Sequence, residues 1–102
     1  MQNLYGNFQA VVLEQVTEND FEQVMNKDGS EKQRDGKPVF QLTKDSRSKM
    51  LLKDGTGLYT SFKFLAFKPT FEAGNYSLKA QITPYIASNF INYSILISEV
   101  LK

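Results

Sequence analysis

An all-β fold, a five-stranded antiparallel Greek-key barrel with a protruding β-hairpin wing, is what this chain of 102 residues predicts. Three observations carry that expectation. Apolar residues alternate as strands require: Tyr76, Leu78, Ala80 and Ile82 are interleaved with polar neighbours, and Ile91, Tyr93, Ile95 and Ile97 face one way against Asn92, Ser94, Leu96 and Ser98. Turn chemistry falls between the alternating runs, at Asp28-Gly29, Asp35-Gly36, Asp54-Gly55, Pro69 and Pro84. No apolar stripe at helical spacing lasts more than a couple of turns.

The elements follow in order. Residues 8–16 are β-branched and apolar enough for a strand buried on much of both faces. Residues 21–25 resume extended structure, or form a short helix capped by Thr17 or Asn19. Residues 26–38 hold two Asp-Gly steps and no apolar side chain but Pro38, which reads as a long hairpin tip. It closes through Gly36-Lys37-Pro38 into a strand at 39–43, where proline suits a strand's start or edge. Residues 44–53 are ambiguous, Met50-Leu51-Leu52 fitting either a helix or a strand. Residues 58–68 form one strand, with Leu58, Thr60, Phe62, Phe64 and Ala66 on one face. Tyr59, Ser61, Lys63, Leu65 and Phe67 are on the other. Pro69 stops it, a strand runs over 75–83, Pro84 opens a connection carrying Tyr85 and Phe90, and residues 91–101 make the last strand. About five strands in a chain this short favour closure into a small barrel, which removes exposed edges. The OB-fold is the natural candidate and a small open sandwich the alternative.

Hydrophobic residues make up 41% and charged residues 23%, the balance of one ordinary globular domain spanning residues 1–102. Cysteine and histidine are both absent, which removes disulfides, thiolate chemistry, the commonest general base and the commonest neutral metal ligand. No pair of carboxylates sits in an apolar setting. The expectation is therefore a binding protein with no catalytic residue, no metal, no cofactor and no small-molecule substrate. The first six residues have neither a basic start nor a long apolar run, and no stretch approaches the roughly 20 apolar residues of a membrane span. A cytoplasmic, non-membrane protein is expected.

Net charge is only +1, but it is unevenly spread. Residues 1–26 hold four acids and no base, residues 27–68 hold ten bases against five acids, and residues 69–102 balance. A basic middle can track a phosphate backbone by displacing counterions. It equally suits solvated strand faces and turns.

Two stretches are similar to a known family. The run from Gly29 through Lys32, Arg34 and Gly36-Lys37-Pro38 to Phe40 resembles the DNA-binding wing of the filamentous-phage gene V proteins. Ala73-Gly74-Asn75-Tyr76-Ser77-Leu78 resembles a strand opening of the same family, and Tyr85 to Phe90 stands where its aromatic-tipped hairpin would be. The resemblance implies a small OB-fold homodimer that coats single-stranded DNA without sequence preference, for a phage, plasmid or conjugative element in a bacterial host. It implies phosphate contacts from Lys32, Arg34 and Lys37, base stacking by Phe40, a groove lined by Tyr59 and Lys63, and Phe90 at the tip of the second hairpin. Phe40 stands one residue late, behind Val39, so both a groove-facing and a core-facing position are open to it. The family's arginines in the last strand are replaced by Ile97, Ser98 and Glu99.

Sequence-tolerant binding of single strands needs cations for the backbone and flat rings for the bases, each stack contributing roughly 1–3 kcal/mol. Of eight Phe and five Tyr, Phe8, Phe62 and Phe64 read as core, while Tyr85, after a proline, is placed to cap the barrel's end. Two other classes remain open: a protein–protein interaction module, and an OB-fold accessory protein that binds RNA or duplex.

Overall fold

Two tight turns close two hairpins of the chain. The computed structural model describes residues 4–55, 57–59 and 61–101; Thr56 and Thr60, assigned above to a turn and a strand face, lie outside the described residues. At Asp35-Gly36 (φ 54° and 77°) and at Ser88-Asn89 (φ 52° and 66°) both central residues are left-handed, the geometry that two-residue hairpins need to match strand twist. The first joins β3 (Gln33–Arg34) to β4 (Lys37–Leu42), and the second joins β8 (Gly74–Ala87) to β9 (Phe90–Val100). The other described strands are β1 (Leu4–Val12), β2 (Phe21–Gln23), β5 (Met50–Lys53), β6 (Leu58–Tyr59) and β7 (Lys63–Leu65). Short 3-10 turns occupy Glu18–Asp20 and Lys44–Lys49.

The fold is all-β, with one sheet in the order β2-β4-β7-β9-β8-β1-β5-β6 and β3 added to β4. Three details differ from the expectation. There are nine described strands rather than five, β7 and β9 run parallel, and the hydrogen-bonded path has two ends instead of closing. The count rises because residues 58–68 do not form one strand. β6 pairs with β5 near one end of the path, whereas β7 pairs with β4 and β9 near the other. The alternating pattern is common to both pieces, so it cannot reveal that they serve different neighbours. Conversely, β8 runs straight through Pro84, which pairs with Tyr93 beyond Ile82, the last described partner of β1. A strand with one neighbour can turn a missing N–H to its unpaired side.

The open path is nevertheless curled. β1 leads to β2, and β4 leads to β5, although each pair lies far apart in the sheet order. In a flat sheet β4 and β5 would stand about 24 Å apart at about 4.8 Å per strand, and the 3-10 turn Lys44–Lys49, at about 2 Å per residue, covers only about 12 Å, so the sheet must bend until its ends approach. The two connectors then bond to each other. Leu13 N–H donates to the Lys49 carbonyl at 2.7 Å and Thr43 N–H to the Asp20 carbonyl at 2.9 Å. The Asp20 carboxylate accepts from Lys49 Nζ (2.9 Å), Ser46 Oγ (2.8 Å) and the Thr17 backbone N–H (2.8 Å).

Bending gives the sheet an inside. Phe8, Ala10, Val12, Leu42, Met50, Leu52, Leu78, Ala80, Ile95 and Ile97 meet there in one core. Phe64 is at its centre, fully buried, with edge contacts to Phe21, Phe62 and Phe67 at centroid distances of 5.2, 5.9 and 5.5 Å. On the outer face, by the alternation of side chains along strands, Val39, Leu65 and Leu96 bury a second small cluster with Val24. No helix among the described residues is long and apolar enough to cross a membrane.

The Asp20 carboxyl is held at about 2, below its ordinary 3.8, chiefly by Lys49 and then by the Thr17 N–H, with burial opposing. A depressed carboxylate pKa contributes stability above the unfolded value that is lost as pH falls from about 4 to about 2. The shift corresponds to about 2 kcal/mol at most. Asp20→Asn should lower the melting temperature at neutral pH and flatten the acid limb between pH 4 and 2, measured by thermal melts across that range. Phe64→Ala should cost about 3–5 kcal/mol in denaturant unfolding.

Candidate nucleic-acid interface

The small outer cluster determines where the wing goes. Val24 N–H donates to the Val39 carbonyl at 2.8 Å and Lys32 N–H to the Val24 carbonyl at 2.9 Å, while Met25 and Glu31 form an isolated bridge. Val24 is thereby packed on Val39, Leu65 and Leu96, and residues 25–31 form an exposed loop closed by the bond between Lys32 and Val24. The wing's base is a built structure with an apolar footing.

This brings Lys32 to a depression beside Lys63, lined also by Ser61, Phe62, Tyr85, Tyr93 and Ser94. Ser61, Phe62 and Lys63 are shared with an adjoining depression lined by Gln41, Arg47, Ser48 and Leu51. Together they make a groove with Arg47 at one end, Lys63 in the middle, and Lys32 with two tyrosines at the other. Burial, followed by the like charges of Lys32 and Arg47, holds the Lys63 ammonium below its ordinary 10.5. No carboxylate is among the residues lining either depression. Gln41 Nε2 donates to Glu22 Oε1 at 3.4 Å. Three cations facing one groove without a counter-charge repel one another, and an anion laid along the groove relieves that repulsion.

The residues singled out in the sequence divide into four groups. Lys32 and Lys63 meet in the groove, as just described. Arg34 and Lys37 are cross-strand partners at the Asp35-Gly36 turn, at the tip of the wing and outside the groove lining. Phe90 is 72% exposed at the tip of the β8–β9 arm, opposite Ala87. The other two pack on the core. Phe40 pairs with Phe64 on the inner face, with Lys68 Nζ 5.3 Å from its ring centroid. The extra residue before it, Val39, has taken the outer face, so the one-residue displacement reverses Phe40. Tyr59 sets its ring edge-on to Phe8 at 5.8 Å and donates its hydroxyl to Asp54 Oδ2 at 3.2 Å. It lines a separate, more apolar depression with Tyr93.

Arg47, Tyr85 and Tyr93 were not foreseen as groove residues. Tyr85 and Tyr93 reach the groove because β8 and β9 continue past the body of the sheet as a two-stranded arm. Pro84 disguises that continuation. Arg47 lies in a connector whose conformation the sequence left ambiguous. Among the described residues no group of three or more carboxylates is placed to hold a metal ion. Comparison with known protein families, curated proteins and solved structures finds no match to this chain.

Lys63 carries a charge that its surroundings disfavour, so removing the charge should not harm the fold. Lys63→Met should leave the melting temperature at pH 7 equal to or above that of the unmodified protein. With the lysine present, stability should rise as pH climbs from its lowered pKa toward 10.5, where the ammonium is lost. A clear fall in melting temperature for Lys63→Met would show instead that the ammonium is held by stabilising contacts.

Proposed function

We propose that the protein binds single-stranded nucleic acid, DNA in the first instance, through the Arg47–Lys63–Lys32 groove, and that it acts by coating the strand rather than by catalysis. The observation that carries this reading is the meeting of the wing and the β8–β9 arm at Lys63. Cations from the wing and connector and rings from the arm line one groove with no carboxylate in its lining. Backbone charge and base stacking are the two requirements of sequence-tolerant binding to unpaired strands. OB-folds hold oligonucleotides with loops that project from a partly open barrel, and we read the wing and the arm as such loops. A curled sheet with an open path, β9 inserted between β7 and β8, is compatible with that architecture. The motif resemblance to the gene V proteins supports the same reading and suggests replication or transfer of a mobile element in a bacterial cytoplasm.

A homodimer is proposed with it. The inner side of the arm continues the core face outward, and cross-strand partners Ile86 and Ile91 near its tip are 79% and 66% exposed. Apolar side chains left this bare on a protruding hairpin favour cover by a second copy. The two rival classes make different demands. A protein-docking module binds with little dependence on salt, and an RNA or duplex binder prefers structured ligands.

Oligo-dT binding followed by fluorescence anisotropy should weaken steeply as salt rises and exceed duplex binding at every salt concentration. Alanine at Lys32, Arg47 or Lys63 should each reduce the slope of log affinity against log salt by about 0.7. Salt-indifferent binding, or a preference for duplex, would remove this reading. Replacing Lys32, Arg34 and Lys37 together with alanine should weaken binding without lowering the melting temperature, because the wing's footing is apolar. Phe90→Ala should cost about 1–3 kcal/mol of oligo-dT affinity if the arm tip stacks on a base.

A further inference from the structure

A row of side chains crosses the outer face of the sheet beside the groove. The register pairs Tyr5 of β1 with Gln81 of β8, Gln81 with Leu96 of β9, and Leu96 with Lys63 of β7. Partners directly opposite one another share a face, so the four side chains stand in line across four neighbouring strands. At about 4.8 Å per strand, Tyr5 is about 14 Å from Lys63 along this row.

Two features of the row are unexplained by packing. Gln81 is only 8% exposed, and its side-chain oxygen is buried without a hydrogen-bond partner among the described residues. A buried, unpartnered amide oxygen is destabilising, so native proteins rarely keep one without a use. An apolar residue of similar size would serve a merely structural role better. Beside it Tyr5 is 60% exposed, with Lys79 Nζ 5.4 Å from its ring centroid, a flat ring with a cation at hand.

We propose that Tyr5 and Gln81 form a base-binding subsite that extends the groove across the sheet. This inference rests on the nucleic-acid reading above and deepens it. A strand whose phosphate is held at Lys63 passes beside Val24, which packs with the buried Leu96, and a base one or two nucleotides on lies against Tyr5. The Gln81 amide, whose oxygen gives up no hydrogen bond when it leaves its buried position, turns outward to the edge of that base, and Lys79 lies near the following phosphate. The Watson–Crick edge of every base presents a donor next to an acceptor, and a carboxamide offers the complementary pair. The subsite is therefore tolerant of sequence but demands a base.

The test is the affinity of the whole protein for oligo-dT, and for the same oligomer with abasic residues, compared across Gln81→Met, Tyr5→Ala and Tyr5→Phe. Gln81→Met should lower oligo-dT affinity about five- to tenfold while the melting temperature stays level or rises, a combination that a structural role for the amide does not produce. Tyr5→Ala should lower affinity by about tenfold, and Tyr5→Phe should restore most of it, because the ring does the stacking. Abasic residues should weaken binding to the unmodified protein more than to Tyr5→Ala. Unchanged oligo-dT affinity in both Gln81→Met and Tyr5→Ala, with Lys63→Ala still impaired, would overturn the subsite and leave the groove standing. Absence of oligo-dT binding by the unmodified protein at low salt would overturn both.

Discussion

Everything in this fold depends on two short connectors that must join strands lying far apart in the sheet. The Lys44–Lys49 turn can do so only if the sheet bends, residues 13–20 bond to it there, and bending alone gives the sheet an interior for Phe64 and its neighbours. Asp20 fastens the two connectors, with one carboxylate accepting from the Thr17 backbone, Ser46 and Lys49. Its lowered pKa is the electrostatic record of that fastening. In a domain with no disulfide, a partly buried ionic tie between connectors complements the apolar core where the hydrogen-bonded path stops short of closing.

The same bending builds the groove. Lys44–Lys49 carries Arg47 to the groove, the break between β6 and β7 leaves Ser61 and Phe62 to run past its floor, and β7 begins only at Lys63, opposite Leu96, where β9 has already come in from the arm. Irregularities that lower the regularity of the sheet are thus the places where polar and charged groups collect. Lys63 illustrates the trade. Half-buried beside two other cations, it is a poor choice for stability and a good one for an anion, and Gln81 with its unpartnered oxygen is a neutral example of the same kind.

How far the sequence was legible depended on the reach of the signal. Strand character and hairpin turns are local, and Asp35-Gly36 and the alternation of Tyr76 to Ile82 announced them. The Gly-Lys-Pro step marked the wing, although the seating of its base through Val24 and Val39 is a tertiary event with no local sign. The splitting of residues 58–68 was invisible because both fragments alternate correctly and only their partners differ. Pro84 gave a misleading signal, since a proline ends a strand in the middle of a sheet but is harmless where one side is unpaired. For the groove, Lys32 and Lys63 were readable as cations in a basic segment. Tyr59 and Phe40 went to the core because a ring in a strand serves whichever face the register assigns, and the register was set by Val39 and by the β5–β6 pairing. Tyr85, Tyr93 and Arg47 required the arm and the connector to be seen.

The central claim is that an unpaired strand lies in the groove where wing, connector and arm converge. Amide chemical shifts of isotopically labelled protein, followed as oligo-dT is added at low salt, test it most directly. The account predicts that perturbations concentrate at Lys32, Arg47, Ser61, Lys63, Tyr85 and Ser94, and that the opposite region around Val16 and Phe71 stays silent. Perturbations centred on Val16 and Phe71, or none anywhere, would contradict it.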